Sequence, residues 1–407
     1  MRNRTISHRA RPRLLVSAAA IAAMPGQGVA QESPMSESTP SSSPQATPVT
    51  GGDSWLSMVN GMWDSLHATF YKPEDGLYTE HYPIIPGRRH SYLWPYSGVL
   101  SGANVRARVN DDDASKEDLR RVLDNLEQYF DADGDPPGYD SYVVAQGGGT
   151  KFYDDNQWLG IDFILAYRTL GDERYLEKAR LIWDFTLSGW SDDMGGGFYW
   201  NEDEVESKNT CSNGPGADLA LLLYEETGEE EFLDWAVRIM DWLDANLFDE
   251  ATGVYHDNIR SDGSIDETKY TYNAGTPLTA YSLLYKSTGD QSWLDKAKAL
   301  ALASFQHFAS GSVGEGIPRF PATPWFNSIL MRGYADFFDV DPDKDPTYLG
   351  SMAQLLAWSW AHNRDEDGFM FPDWGLDAPT ANARWLLDQA PVMEIAGLAH
   401  LYLPSLS

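Results

Sequence analysis

The chain has 407 residues, with 30 Lys+Arg against 61 Asp+Glu for a formal net charge of −31, 42% hydrophobic residues and one cysteine. So acidic a chain lacks the basic face that nucleic acid or an anionic membrane surface requires, and a lone cysteine excludes an internal disulfide framework and a CxxC zinc cluster. An aromatic content of 13% excludes collagenous, coiled-coil and wholly disordered chains and leaves an acidic globular protein with a sizeable core.

Residues 1–13 carry Arg2, Arg4, Arg9, Arg11 and Arg13 and no acid; Leu14–Met24 is apolar, and Gly28-Val29-Ala30 offers small residues for cleavage. That order predicts a secretory signal peptide over residues 1–30 and a secreted or periplasmic protein. The apolar run is too short to span a bilayer, so no membrane insertion is expected. Residues 31–52 are rich in Ser, Pro and Thr and read as a flexible linker. A single domain is expected over 53–407.

That domain carries a repeat. The segment from Ala166 to Ala179, with Gly171-Asp172 at its centre, recurs around Gly228-Glu229 and again around Gly289-Asp290. Each copy ends one helix with Gly at the left-handed position and starts the next with an acid, followed by an aromatic-Leu-x-x-Ala pattern. A weaker copy lies near Asp341-Pro342. Between copies stand Gly76-Leu77-Tyr78, Gly197-Phe198-Tyr199, Gly253-Val254-Tyr255 and Gly368-Phe369-Met370, which predict tight turns or small β-hairpins at one end of each helix pair. About six pairs are expected from such stacked units. The predicted fold is all-α, an (α/α)6 barrel with a site at the mouth formed by inner-helix starts and β-hairpin loops. An open solenoid is the alternative.

Asp154 and Asp155 follow a glycine loop, Gly147-Gly148-Gly149, and enter a predicted helix among Phe152, Tyr153 and Trp158. An acid at a helix start is commonly a cap. Here the aromatics can also desolvate a carboxyl and stack on a sugar face. Glycoside cleavage uses one ionised and one protonated carboxyl, separated by about 5–5.5 Å for retention, and repulsion between neighbours drives two pKa values apart. Asp111–Asp113 lies in a polar, charged turn, and Asp192-Asp193, between Trp190 and a triple glycine, reads as a loop or a substrate wall.

Other candidates are Lys208, Asn209 and Asn213 around Cys211, and Tyr272 and Asn273 at a second inner-helix start. Trp94, Trp200, Trp325 and Trp374 occur in loops with Gly or Pro, where they line subsites or pack. Cys211 reads as a buried filler. The acidic runs at 131–135 and 339–345 lack the glycine and terminal glutamate of a calcium loop, and the histidines show no metal spacing, so neither metal nor cofactor is expected.

Tyr153-Asp154-Asp155-Asn156-Gln157-Trp158 resembles the Tyr-Asp-Asp-Asn-x-Trp signature of glycoside hydrolase family 76, the endo-α-1,6-mannanases. The similarity continues through Gly195–Trp200, Lys208–Gly214, Tyr270–Gly275, Phe326–Arg332 and Asp388-Gln389-Ala390. The resemblance implies an (α/α)6 fold, no required metal, and retaining cleavage of α-1,6-mannan. Asp154 would be the nucleophile and Asp155 the general acid/base, with Tyr153, Trp158, Trp200, Lys208, Asn209, Asn213, Tyr272, Asn273 and Arg332 contacting substrate. Gln157, Ala274 and Asn327-Ser328 depart from the family pattern in subsite positions, which leaves the glycan and the endo mode open. A surface-remodelling transglycosylase and a non-catalytic glycan-binding protein are the alternatives; a histidine-dependent epimerase fits less well. A monomer acting on a polysaccharide is expected.

Overall fold

The computed structural model describes residues 54–314, 316–375 and 383–403. The signal peptide and linker expected at 1–30 and 31–52 lie outside the described residues. Twelve α-helices form among those described. They are α1 (Trp55–Phe70), α2 (Leu93–Asn110), α3 (Asp113–Leu126), α4 (Tyr153–Leu170), α5 (Glu173–Ser188) and α6 (Thr210–Thr227), followed by α7 (Glu230–Asn246), α8 (Thr271–Thr288), α9 (Gln291–Phe308), α10 (Pro324–Val340), α11 (Thr347–His362) and α12 (Leu386–Tyr402).

The even-numbered helices close a ring: α2 packs on α4, α4 on α6, α6 on α8, α8 on α10, α10 on α12, and α12 on α2. The odd-numbered helices cover it from outside, each against its chain neighbours, with α1 completing the layer against α12. This is the (α/α)6 toroid expected from the repeats. Sequence pattern separates the layers. In α6 every residue from Thr210 to Leu223 is buried, whereas α5 buries Tyr175, Ala179, Ile182, Trp183 and Thr186 on one stripe, the pattern of a helix with one solvent face. Inner helices approach closely where side chains are small. A methyl group on Gly275 would stand 2.6 Å from the Ile329 carbonyl oxygen, and one on Gly333 2.5 Å from that of Gly275, so α8 and α10 touch backbone to backbone.

The two ends differ. On one side α4, α6 and α8 turn into their outer partners through Gly171, Gly228 and Gly289, which have φ of 67°, 69° and 68°; only glycine adopts that conformation at little cost. Asp172 and Asp290 then cap the next helix by accepting backbone N–H bonds. The opposite side carries the long connections. Here the predicted glycine-aromatic hairpins form, Leu77–Tyr78 against Tyr71–Lys72 and Val254–Tyr255 against Phe248–Asp249. A three-stranded ribbon joins Ser207–Asn209 to Asn258–Arg260 and Ile265–Asp266. His81–Tyr82 pairs with Arg384–Trp385, tying the first long loop to the start of the last inner helix. All six inner helices begin at this end, which is the mouth.

Candidate functional site

Asp154 and Asp155 occupy the first turn of α4, half-buried at the mouth. Lys151, immediately before them, is buried, and its ammonium lies 2.9 Å from Asp131 and 3.0 Å from Asp140. That anchor fixes the chain as it enters α4 and occupies one of the acidic loops. The loop carrying Trp200 is strung on the same start: the Tyr153 N–H donates to the Trp200 carbonyl at 2.9 Å.

The adjacent carboxyls have unequal surroundings. Asp154 accepts the Trp200 indole N–H at 3.1 Å and the Asp155 backbone N–H at 2.9 Å, and the Cys211 thiol lies in hydrogen-bonding contact with it. Burial pushes Asp154 up to about 6, and these donors hold it from rising further. Asp155 has no donor to its carboxyl among the described residues. Burial, and then the charge of Asp154, push its pKa well above the usual carboxylate range. One carboxyl is thus set to be ionised near neutrality and its neighbour to keep a proton, the division that acid and nucleophile need. Cys211 is buried, and burial and the Asp154 charge push its thiol up. It is a neutral donor to the carboxyl, a role beyond the filler expected of it.

Tyr272, half-exposed in the first turn of α8, reaches Asp257 with its hydroxyl at 3.4 Å, and Asn273 donates to the same oxygen at 3.1 Å. Asn258 donates to the other oxygen of Asp257 at 2.9 Å. Asp257 is a third carboxyl beside the site. It follows the Gly253-Val254-Tyr255 unit at a position with no pattern of its own, so nothing in the sequence marked it.

Several expected substrate contacts have other tasks. The Lys208 ammonium is fully buried and donates to the backbone carbonyls of Ser191, Asp193 and Gly196 at 2.7, 2.6 and 2.6 Å. Burial lowers its pKa to about 8. It clamps the loop that leads to Trp200 and has no hydrogen left for a sugar. Asn213 is fully buried and brackets the Phe198 backbone, accepting from its N–H at 2.8 Å and donating to its carbonyl at 3.1 Å. Asn209, at the N-cap of α6, accepts from the Ser207 hydroxyl, and Asn273 is fully buried against Asp257. Tyr153 turns away from the mouth and stacks on Phe185 with ring centres 5.0 Å apart. Trp158 is buried one turn below the pair, with the Arg332 guanidinium 5.7 Å from its ring centre. Arg332 itself is ion-paired with Glu394 inside the ring. Of the expected contacts, Trp200 and Tyr272 remain half-exposed at the mouth beside the aspartates.

Aromatic rings continue round the mouth. Tyr272 lies 5.5 Å from Tyr270 and 4.2 Å from Phe326. Phe326 faces Trp94 at 6.2 Å, and Trp94 meets Trp385 edge-on at 5.6 Å. All five are half-exposed, whereas Trp325 and Trp374 are buried. Such a belt offers flat apolar faces to a ring-shaped polar ligand. Among the described residues no group of three or more His, Cys, Asp or Glu could hold a metal ion.

The family model described as glycosyl hydrolase family 76 matches residues 54–395. The chain is 27% identical over 270 residues to the mannan endo-1,6-alpha-mannosidase DCW1 of Candida glabrata, covering 61% of this chain and 58% of the relative. It is 28% identical to the protein of that name from Saccharomyces cerevisiae, covering 53% and 51%. It therefore spans less than two thirds of these two curated relatives. A family 76 glycoside hydrolase from a bovine Bacteroides thetaiotaomicron strain superposes with a TM-score of 0.80 at 27% identity, covering 87% of this chain and 78% of that one. An inactive alpha-1,6-mannanase variant of Salegentibacter sp. HEL1_6, in complex with alpha-1,6-mannotetrose, superposes at 0.73 with 26% identity, covering 86% and 100%.

Proposed function

Because the chain belongs to glycosyl hydrolase family 76, we propose that it is an exported glycoside hydrolase cleaving α-1,6-mannosidic bonds within mannan by retention. The observation that carries this is the Asp154–Asp155 pair, two adjacent mouth carboxyls, one held by donors and one with none. The Asp154 carboxylate attacks C1 of the mannosyl unit while the Asp155 carboxyl gives its proton to the departing O6, leaving a mannosyl ester on Asp154. Asp155, now a carboxylate, takes a proton from water as that water attacks C1, and Asp154 is released. Trp200 stabilises the Asp154 charge, and the mouth aromatics hold sugar faces. The basic and apolar stretch at 1–30 supports export, and no helix among the described residues is long and apolar enough to cross a membrane. If a sugar hydroxyl replaces water in the second step, the same intermediate gives transglycosylation.

Incubation with linear α-1,6-mannan tests the proposal. The protein releases short α-1,6-manno-oligosaccharides, and Asp154→Asn and Asp155→Asn each lower the rate by about a thousandfold or more. Folded protein that leaves linear mannan intact would overturn the substrate assignment. Added oligosaccharide acceptors lengthening the products would favour transfer over hydrolysis.

A further inference from the structure

A groove of about 410 Å³ lies on the outer wall of the toroid, between α7 and the loop that follows α5, within the size range of ligand clefts. Trp190, Asp234, Val237, Arg238, Asp241 and Trp242 line it. None of them belongs to the site at the mouth. The loop 189–200 divides the two places, turning Trp190 to the groove and Trp200 to Asp154.

The walls of the groove are fixed by close contacts. The buried Trp242 donates its indole hydrogen to the Met194 carbonyl at 3.0 Å. A methyl group on Gly196 or Gly197 would stand 3.1 or 2.7 Å from the Trp242 ring, so the loop backbone rests on the indole. From the other side Lys208 holds the carbonyls of Ser191, Asp193 and Gly196. Trp190 meets Trp235 edge-on at 5.1 Å, and the Arg238 guanidinium lies over both rings, 4.5 and 4.8 Å from their centres.

Arg238 is pulled out of its ordinary pairing. Asp234 and Asp241 stand four residues before it and three after it on α7, spacings at which opposite charges on a helix attract. The guanidinium stacks on the indoles instead and pairs with Asp192 of the loop at 3.4 Å. Asp234 and Asp241 are exposed, and no hydrogen bond or ion pair reaches either among the described residues. One fork of donors thus stands between two open acceptors, beside the Val237 methyls and the indole edges.

That arrangement selects a ligand class. Two carboxylates repel an anion, and the guanidinium between them repels a cation. An apolar ligand would strip water from three charges. A neutral polyol fits, because each hydroxyl accepts from a guanidinium N–H and donates to a carboxylate, while the C–H side of a sugar ring meets the apolar wall. We infer that the groove is a second, non-catalytic glycan site, which holds a stretch of the same α-mannan outside the mouth. The inference rests on the mannan reading given above. One polymer engaging groove and mouth together is bound more tightly than a short oligosaccharide that fills either alone.

The test uses the Asp154→Asn/Asp155→Asn protein as a non-hydrolysing parent, titrated calorimetrically with α-1,6-mannotetraose carried to millimolar ligand. The parent binds two tetrasaccharides. Adding Asp234→Ala/Asp241→Ala, at two exposed positions, leaves one, and affinity for polymeric linear α-1,6-mannan falls about tenfold as the two-site attachment is lost. Adding Glu230→Ala/Glu231→Ala instead, the same change of charge at the far end of α7, leaves two. A parent that binds a single tetrasaccharide, or an Asp234/Asp241 variant that still binds two, would overturn the inference while leaving the mannan reading standing. A parent that binds neither tetrasaccharide nor polymer would overturn both.

Discussion

Trp200 donates its indole hydrogen to Asp154, and a hydrogen bond to a charged group favours the ionised form. Replacing it by Phe removes the donor and keeps most of the ring, so the Asp154 pKa rises from about 6. In the pH profile of kcat/KM the acid limb, which reports the ionisation of Asp154, moves upward by about one pH unit, since one unit is ~1.4 kcal/mol. The alkaline limb, set by the Asp155 proton, stays where it is. An acid limb that does not move would remove Asp154 from the nucleophile's position. Adjacency and aromatic neighbours, both local, are what mark the aspartate pair in the sequence as a candidate. For Lys208 and Asn213, expected as sugar contacts, the sequence is silent on direction. Their partners are backbone groups of residues 191–198, and nothing in a polar loop's composition says which way a side chain turns. Asp257 carries no mark in the sequence because its meaning lies in which donors surround it, a property of the closed ring alone.

At the scale of elements, the mouth loops hold the site and the inner helices hold the loops. Lys208 stands on the strand Ser207–Asn209 and closes the loop 189–200 through three carbonyls. Lys208→Met keeps the stem and leaves those carbonyls unpaired in a buried place, a cost of about 3 kcal/mol. The Tm is expected to fall by about 5 °C, and proteolysis is expected to begin within 190–200, with kcat falling as Trp200 loses its seat. A variant that melts as the parent does and resists protease would show that the loop stands without the clamp. The hairpin repeat and its glycine turns could be read directly, because a left-handed Gly and a following acid are local signals. The division into inner and outer helices is less local. It shows in the burial of α6 on all sides and of α5 on one, and the closure of α12 on α2 is a contact between residues some 290 positions apart that no short-range pattern encodes.

The molecule as a whole carries a formal charge of −31, and some of the acids counted in it lie inside. Asp162, Asp218 and Asp336 lie within the ring around one guanidinium, that of Arg332, which pairs with Glu394. Burial first of all raises Asp162 to about 7, Asp336 to about 6, and Asp218 well above the usual range. Acids with raised folded-state pKa values bind more protons folded than unfolded, so stability falls as pH rises from about 4 through 7. Self-repulsion of the surface acts in the same direction and is screened by salt. The expected result is a higher Tm at pH 5 than at pH 8, a gap that narrows in Asp162→Asn, and a Tm at pH 8 that climbs with added salt. Melting temperatures independent of both would mean that the internal carboxyls are compensated.

The proposed reaction passes through a covalent mannosyl ester on Asp154, formed while Asp155 protonates the leaving group. Its most direct test is mass spectrometry of the protein after reaction with an activated fluoro-mannoside that forms the ester quickly and hydrolyses slowly. One mannosyl adduct is expected, mapped to the peptide containing residues 151–168 and absent in Asp154→Asn. An adduct on any other residue, or initial products of inverted anomeric configuration with no adduct at all, would contradict it.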